Sequence, residues 1–153
     1  MQITDFLDIR AIEDDLSASS KPGVIRELVG LALKINPDLD PNLLVETLTR
    51  REKLQSTGIG NGVAMPHGRT EIVEKIIGCI GRSKAGVDFH SLDGQPTHLF
   101  FTLFIPEAAE GLHLKALARL SRLLKSPGFR EQLLAAADAD AIYQIVVAED
   151  AKL

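Results

Sequence analysis

Apolar residues recur at helical spacing in the first third of the chain and again in the last third. Ser20 is a candidate N-cap for a first helix. The apolar face of that helix consists of Val24, Leu28, Leu31 and Ile35. Asp40-Pro41 predicts the start of a second helix, which runs toward Arg51, because aspartate before proline is typical of a first helical turn. In the last third, helices are predicted from about Gly111 to Leu124, after the Ser126-Pro127 cap and after Asp138.

Shorter apolar runs in the middle of the chain indicate β-strands. Ile76–Gly81 and His98–Ile105 are predicted strands, and the second is apolar on both faces, as in the centre of a covered sheet. Leu92–Pro96 is a turn between them, and Ile9–Leu16 alternates enough to predict a first strand. Helices at both ends with strands between them predict an α/β sandwich, a single domain over residues 1–153.

Composition narrows the classes of function. The 153 residues carry 17 Lys and Arg against 21 Asp and Glu, a net charge of −4, which argues against a nucleic-acid binder that depends on counterion release. One cysteine, Cys79, excludes an internal disulfide and a multi-thiolate metal site. The acidic N-terminus is unlike a secretory signal, and the longest apolar run, Leu99–Ile105, is too short to span a bilayer. These features predict a soluble cytoplasmic protein.

The segment Ser56–Gly68 differs in composition from the rest of the chain, with four glycines and a proline in 13 residues. Such a segment cannot be a helix, and irregular chain of this length often carries function. Gly58–Gly62 invites comparison with nucleotide-binding loops, but Val63–Pro66 favours an extended segment over the helix that those loops begin, and no Gly-Lys-Ser/Thr follows. A flexible glycine loop without chemistry is the alternative.

Pro66-His67-Gly68 suggests instead a presented nucleophile. Proline stiffens the approach to His67, glycine leaves room beside the ring, and a neutral imidazole offers a lone pair to phosphorus. Phosphoryl transfer needs charge-stabilising donors, which arginine supplies well. Candidate donors are the glycine amides, the hydroxyls of Ser56 and Thr57, and the guanidinium groups of Arg50, Arg51 and Arg69. His67–Thr70 matches the His-Gly motif of histidine phosphatases only loosely, since those have arginine where this chain has Pro66.

Arg51–Gly68 reads Arg-Glu-Lys-Leu-Gln-Ser-Thr-Gly-Ile-Gly-Asn-Gly-Val-Ala-Met-Pro-His-Gly. It resembles the signature of the enzyme IIA domains of the fructose/mannitol class, in the bacterial phosphoenolpyruvate-dependent phosphotransferase system, and is most similar to their nitrogen-regulatory branch. Val87–Pro96 and His113–Leu120 agree with two further blocks of that family. Met65 and Gln55 depart from the residues common there, and neither bears on the chemistry.

The resemblance implies a mixed β-sheet covered by helices on both faces and a phosphotransferase activity between proteins. His67 matches the histidine that accepts a phosphoryl group, as a tele-phosphohistidine, from an HPr-like carrier of the NPr type. Arg51 matches the arginine that steadies the phosphoryl group, and His113 matches a supporting histidine. Support from the loop is expected of Ser56, Thr57, Gly58, Gly60, Asn61 and Gly62. No metal or other cofactor is expected, since both substrates are proteins.

The nitrogen-regulatory branch further implies that phosphorylation controls binding to regulated proteins, such as potassium-transport or sensor-kinase proteins. The alternative is a sugar-system component that passes phosphate to a IIB domain. A short chain without a IIB-like cysteine motif favours regulation.

The remaining candidates have simpler interpretations. His113 lies in line with Leu117, Leu120 and Leu124, so by periodicity alone it is a core histidine. Glu110-Gly-Leu-His113 has the spacing of carboxylate-bridged metal bundles, which need a second copy that this chain lacks. His90 and His98 are predicted surface residues at a turn or strand end, and Cys79 is predicted to be a small buried hydrophobe.

Overall fold

The structure, a computed structural model, describes residues 1–109 and 111–153. Its strands are β1 (Leu7–Glu13), β2 (Gly58–Gly60), β3 (Val63–Ala64), β4 (His67–Thr70), β5 (Ile77–Val87) and β6 (Thr97–Pro106). Its helices are α1 (Lys21–Ile35), α2 (Pro41–Leu54), α3 (Leu112–Leu124), α4 (Pro127–Ala135) and α5 (Ala139–Asp150). A short 3-10 turn, Ile3–Asp5, precedes β1.

Four of the five predicted helix starts are confirmed by capping bonds. The Ser20 hydroxyl accepts from the Gly23 amide at 3.3 Å, and Asp40 accepts from Asn42 at 2.9 Å. Ser126 and Asp138 cap α4 and α5 in the same way. Each bond satisfies an amide that the first helical turn leaves without a partner.

The six strands form one mixed sheet in the order β1-β5-β6-β3-β2, with β4 also paired to β6. β1 runs parallel to β5, β5 antiparallel to β6, and both β3 and β4 parallel to β6. The register of β4 sets His67 opposite Leu103. β3 pairs with one part of β6 and β4 with another. The glycine-rich segment, which contains β3 and the start of β4, therefore lies along one edge of β6.

Helices cover both faces of this sheet, as the sequence predicts. Alternate residues of β6 enter opposite cores: Phe101 and Leu103 pack with α3, α4 and α5, whereas Phe100 and Phe104 pack with α1 and α2. Burying such a side chain stabilises the fold by roughly 1.5–3 kcal/mol. Each helical layer is therefore fixed to the same central strand.

Three predictions from the sequence were wrong: the bounds of the first strand, the end of β5, and the irregular character of the glycine-rich segment. The first strand is Leu7–Glu13, so it begins and ends earlier than expected, and β5 continues to Val87 instead of ending near Gly81. Polar residues hid the extension of β5, but Arg82 is buried and donates to the carbonyls of Asp14 at 2.8 Å and Leu133 at 2.9 Å. The glycine-rich segment is mostly not irregular, since β2, β3 and the start of β4 lie within it.

Within the described ranges, every helix is too short or too polar to cross a membrane.

Candidate active site

An open cleft of about 270 Å³ lies where the N-terminal end of β4 meets α2 and α3. Its lining is basic and contains both histidines that the resemblance singles out. The lining residues are Thr47, Arg50, Arg51, Leu54, His67, Gly68, Arg69 and His113. The cleft therefore has a local positive character, although the chain as a whole has a net charge of −4.

His67 is the first residue of β4, and its ring is held by one backbone bond. Its Nδ1 atom lies 2.8 Å from the carbonyl oxygen of Met65. A carbonyl only accepts, so Nδ1 carries the proton in the neutral ring and Nε2 keeps its lone pair. The fold thus leaves Nε2 as the ring nitrogen with a free lone pair.

The electrostatic surroundings of His67 favour its neutral form. Burial lowers the pKa of His67 below its usual value, and the nearby Arg51 charge lowers it further. The bond to the Met65 carbonyl acts in the opposite direction, but burial is the larger cause. The ring is half-buried, so it is both partly shielded from water and open to a reacting group.

Arg51 reaches the cleft from the last turn of α2. Its Nη1 donates to the carbonyl of Gln55 at 2.8 Å, which anchors one side of the guanidinium and leaves other N–H groups for an anion. Arg50 is exposed and pairs with Glu46 at 3.4 Å. Arg69, also exposed, donates to the Glu107 carbonyl. Arg51 is the arginine most restrained beside His67.

Gly68 brings α2 against β4. A Cβ atom at Gly68 would lie 2.4 Å from Cγ2 of Thr47, well inside contact distance. The sequence suggested that this glycine makes room for the reacting group, whereas the structure shows that it makes room for the helix. Close packing of α2 on β4 is what sets Arg51 beside the His67 ring.

His113 is the second residue of α3 and reaches the cleft from the opposite helical layer. It is half-buried at the cleft rather than enclosed in the core, where periodicity alone would put it. Its Nδ1 is buried and has no hydrogen-bond partner among residues 1–109 and 111–153. Nε2 is the ring nitrogen left for a bound group.

The loop residues expected to support phosphate lie outside the cleft lining. Ser56 donates from its hydroxyl to the Phe89 carbonyl at 2.9 Å, and Thr57 is buried against the carboxylate of Glu52. The backbone amide of Asn61 donates to the carboxylate of Asp93 at 3.2 Å. Gly58 and Gly60 lie in β2, and Gly62 lies in the turn between β2 and β3. The geometry gives these residues a part in holding the segment and no direct contact with the cleft.

Sequence reasoning missed Thr47 and Leu54, which line the cleft beside the arginines. The signal was available, because positions 47, 50, 51 and 54 follow the i, i+3, i+4, i+7 spacing of one helix face. It also missed a buried ion pair, Lys21 with Glu52 at 2.7 Å. Those two residues lie on different helices, and no local pattern joins them.

The other candidate residues lie away from the cleft. His90 is exposed, as predicted, and His98 is half-buried near the start of β6, where its Nδ1 bonds to the Ser83 carbonyl at 2.9 Å and its ring packs beside Gly86. Cys79 is buried, which raises the pKa of its thiol far above the usual value and leaves it inert. Glu110, part of the metal-like spacing, lies outside the described residues. Elsewhere in the chain, no group of three or more potential metal ligands comes together.

An α/β sandwich with a cleft that holds two histidines and three arginines fits the class of phosphotransfer proteins. The family model for the EIIA 2 component of the phosphoenolpyruvate-dependent sugar phosphotransferase system matches residues 5–148. The chain belongs to this family, which confirms the resemblance read from its motifs.

Relatives of both branches are similar over at least 94% of the chain. A nitrogen regulatory protein of Bradyrhizobium diazoefficiens is 42% identical over 146 residues, 95% of each chain. The fructose-specific EIIABC component of Bacillus subtilis is also 42% identical, over 98% of this chain but only 24% of that protein. The crystal structure of nitrogen regulatory protein IIA-Ntr from Neisseria meningitidis superposes with a TM-score of 0.88 at 35% identity, covering 94% of this chain and 98% of that one.

Proposed function

We propose that this protein is a phosphocarrier in which Nε2 of His67 accepts a phosphoryl group from the phosphohistidine of an HPr-like carrier. Membership of the EIIA family supports phosphotransfer in general. The observation that carries the specific proposal is the bond from His67 Nδ1 to the Met65 carbonyl, inside a cleft that also holds Arg51 and His113.

The transfer is a displacement at phosphorus. The lone pair of His67 Nε2 forms the new N–P bond as the N–P bond of the carrier breaks, and the carrier's ring nitrogen takes back its electron pair. The Nδ1 proton of His67 stays on the bond to Met65, which stabilises the positive character that the ring gains. Arg51 and His113 donate to the phosphoryl oxygens, whose charge is spread over three atoms in the transition state.

Phosphorylation then serves as the regulatory signal. A phosphoryl group adds roughly two negative charges at neutral pH, in a cleft whose rim is basic. Most of the positive charge of Arg50, Arg51 and Arg69 is therefore offset, which is enough to change the affinity of a regulated protein that docks there. Similarity to nitrogen regulatory proteins over 95% of the chain favours this output.

A second candidate function is onward transfer to a IIB domain of a fructose-type sugar system. The 42% identity with the fructose-specific EIIABC component favours it. Both functions use the same His67 chemistry and differ in the acceptor. Incubating the phosphorylated protein with a fructose-type IIB domain separates them, because only the second function predicts rapid loss of phosphate to IIB.

The test of the proposal is phosphoryl labelling with phosphoenolpyruvate, enzyme I and an HPr-like carrier. We expect one acid-labile phosphate per chain, with the linkage at Nε2 identified by NMR of the ring nitrogens. His67→Ala abolishes the label, whereas His98→Ala, the matched control, retains it. Equal labelling of the His67→Ala protein would disprove the proposal.

A further inference from the structure

Glu52 is a buried carboxylate behind the cleft. It is 8% exposed and accepts from the Thr57 amide at 3.1 Å, from the Thr57 hydroxyl, and from Nζ of Lys21 at 2.7 Å. Lys21 in turn lies over the Phe89 ring and donates to its carbonyl at 3.3 Å. Both carboxylate oxygens are therefore engaged, and the buried charge is paired.

This carboxylate is connected to the His67 ring through two backbone bonds. The carbonyl of Thr57 accepts from the Met65 amide at 3.0 Å, and the carbonyl of Met65 accepts from His67 Nδ1 at 2.8 Å. Glu52 accepts from the amide and the hydroxyl of Thr57, and the carbonyl of Thr57 in turn holds the Met65 backbone, whose own carbonyl orients the ring.

Glu52 also secures the end of the helix that carries Arg51. Helix α2 ends at Leu54, and Gln55 is extended rather than in a left-handed capping conformation. Glu52 takes the amide of Thr57 just beyond this end, while Arg51 donates to the carbonyl of Gln55. Glu52 thus fixes the chain between the end of the helix that carries Arg51 and the segment that leads to His67.

We propose that Glu52 is a positioning residue for the His67 site: without contact to the phosphoryl group, it fixes the peptide that holds Nδ1 of His67 and thereby keeps Nε2 directed at the donor. The effect on transfer rests on the proposed function of His67. The effect on the ring itself does not, since it concerns the tautomer and orientation of His67 in the free protein.

The experiment compares Glu52→Gln with Asp150→Asn. Asp150 is a matched control because it is also a buried carboxylate, 4% exposed, that accepts from a backbone amide, Ile3, and from a cation, Arg119. The readouts are stability, the rate of phosphorylation by the carrier, and the tautomer of the His67 ring from its nitrogen chemical shifts.

We expect both variants to lose stability, but only Glu52→Gln to change the site. In the wild type, the neutral ring is protonated at Nδ1. In Glu52→Gln, a measurable fraction shifts to the Nε2-protonated tautomer, and phosphorylation slows by roughly 10- to 100-fold, since a misplacement of about 1 Å can cost that much. An unchanged tautomer, or the same change in Asp150→Asn, overturns the proposal.

Thr57→Val provides a second variant if Glu52→Gln fails to fold. It removes only the hydroxyl bond to Glu52 and keeps the backbone bond, so a smaller shift in the same direction is expected. No shift in Thr57→Val overturns the proposal in that case. If the wild-type protein accepts no phosphate, the proposed function fails, and the tautomer comparison alone still decides the role of Glu52.

Discussion

His67 and His98 are held alike and differ in what surrounds them. Each is half-buried in a strand, and each bonds through Nδ1 to a backbone carbonyl: Met65 at 2.8 Å for His67 and Ser83 at 2.9 Å for His98. The same tautomer is therefore fixed in both, with the lone pair on Nε2. A backbone bond at Nδ1 therefore does not by itself distinguish the proposed acceptor from the other histidine.

The difference lies at Nε2. The ring of His98 packs so closely on Gly86 that a Cβ atom there would lie 3.0 Å from Nε2. The ring of His67 instead lines an open cleft together with Arg51 and His113. His67 differs from His98 in the access that its Nε2 has to a bulky group and in the donors nearby, Arg51 from α2 and His113 from α3.

Removing Arg51 should make the surroundings of His67 more like those of His98. Of the changes considered, it should have the largest effect on the rate of phosphorylation. Arg51→Ala is expected to lower the rate of phosphorylation on the order of 100-fold, because one lost donor to a developing charge typically costs that much. Arg50→Ala is the control from the same turn. It should cost less than about fivefold, because Arg50 is exposed and its charge is already paired with Glu46 and screened by water. Equal losses would show that the cleft needs only positive charge near its rim. Single-turnover labelling measures both rates.

The glycines beside the two histidines, Gly68 and Gly86, offer a second test of what distinguishes the two sites. Gly68→Ala should destabilise the protein by about 1–3 kcal/mol, since its Cβ would overlap Thr47. Gly86→Ala should cost about as much, because φ there is +84° and the added Cβ would lie 2.8 Å from the His98 ring. Only Gly68→Ala should also slow phosphorylation, because it displaces the helix that carries Arg51. Chemical denaturation and labelling together measure these effects.

Gly30→Ala is the control for both glycine variants. Gly30 lies within α1, and an added Cβ would meet nothing within 4 Å, so alanine there should stabilise the protein by up to about 1 kcal/mol. A loss of phosphorylation in Gly86→Ala equal to that in Gly68→Ala would mean that general loosening of the sheet, and not the position of α2, controls the rate.

Local patterns predicted most of the fold because the determinants are local. Helix caps such as Asp40 act on the next three residues, and the two-sided apolar run of β6 requires a covered central strand. The extension of β5 escaped prediction because Arg82 looks like a strand end in sequence. It is buried only because the carbonyls at the end of α4, from a distant part of the chain, accept its N–H groups.

The candidate site was predicted by family resemblance more than by spacing. Arg51 and His113 reach His67 from different helices, 16 and 46 positions away in the chain, and no periodicity joins them. The glycine-rich segment drew attention to Ser56 and Thr57 as phosphate donors, but their hydroxyls are used in fixing the loop. Glycine-rich composition indicates close approach of backbone, and the structure shows that the approach here is to protein.

The smallest expected effect is on the titration of His67, and its sign follows from the environment. Burial and the Arg51 charge lower the pKa of His67, so the ring should titrate below its usual value of 6.5 and accept phosphate until the pH falls through that lower value. Arg51→Ala removes a like charge and should move the pKa of His67 upward, whereas Glu52→Gln removes an attracting carboxylate and should move it downward. NMR titration of the His67 ring protons measures all three. Shifts of the same sign in both variants would show that changed burial of the ring, and not the two charges, dominates its protonation.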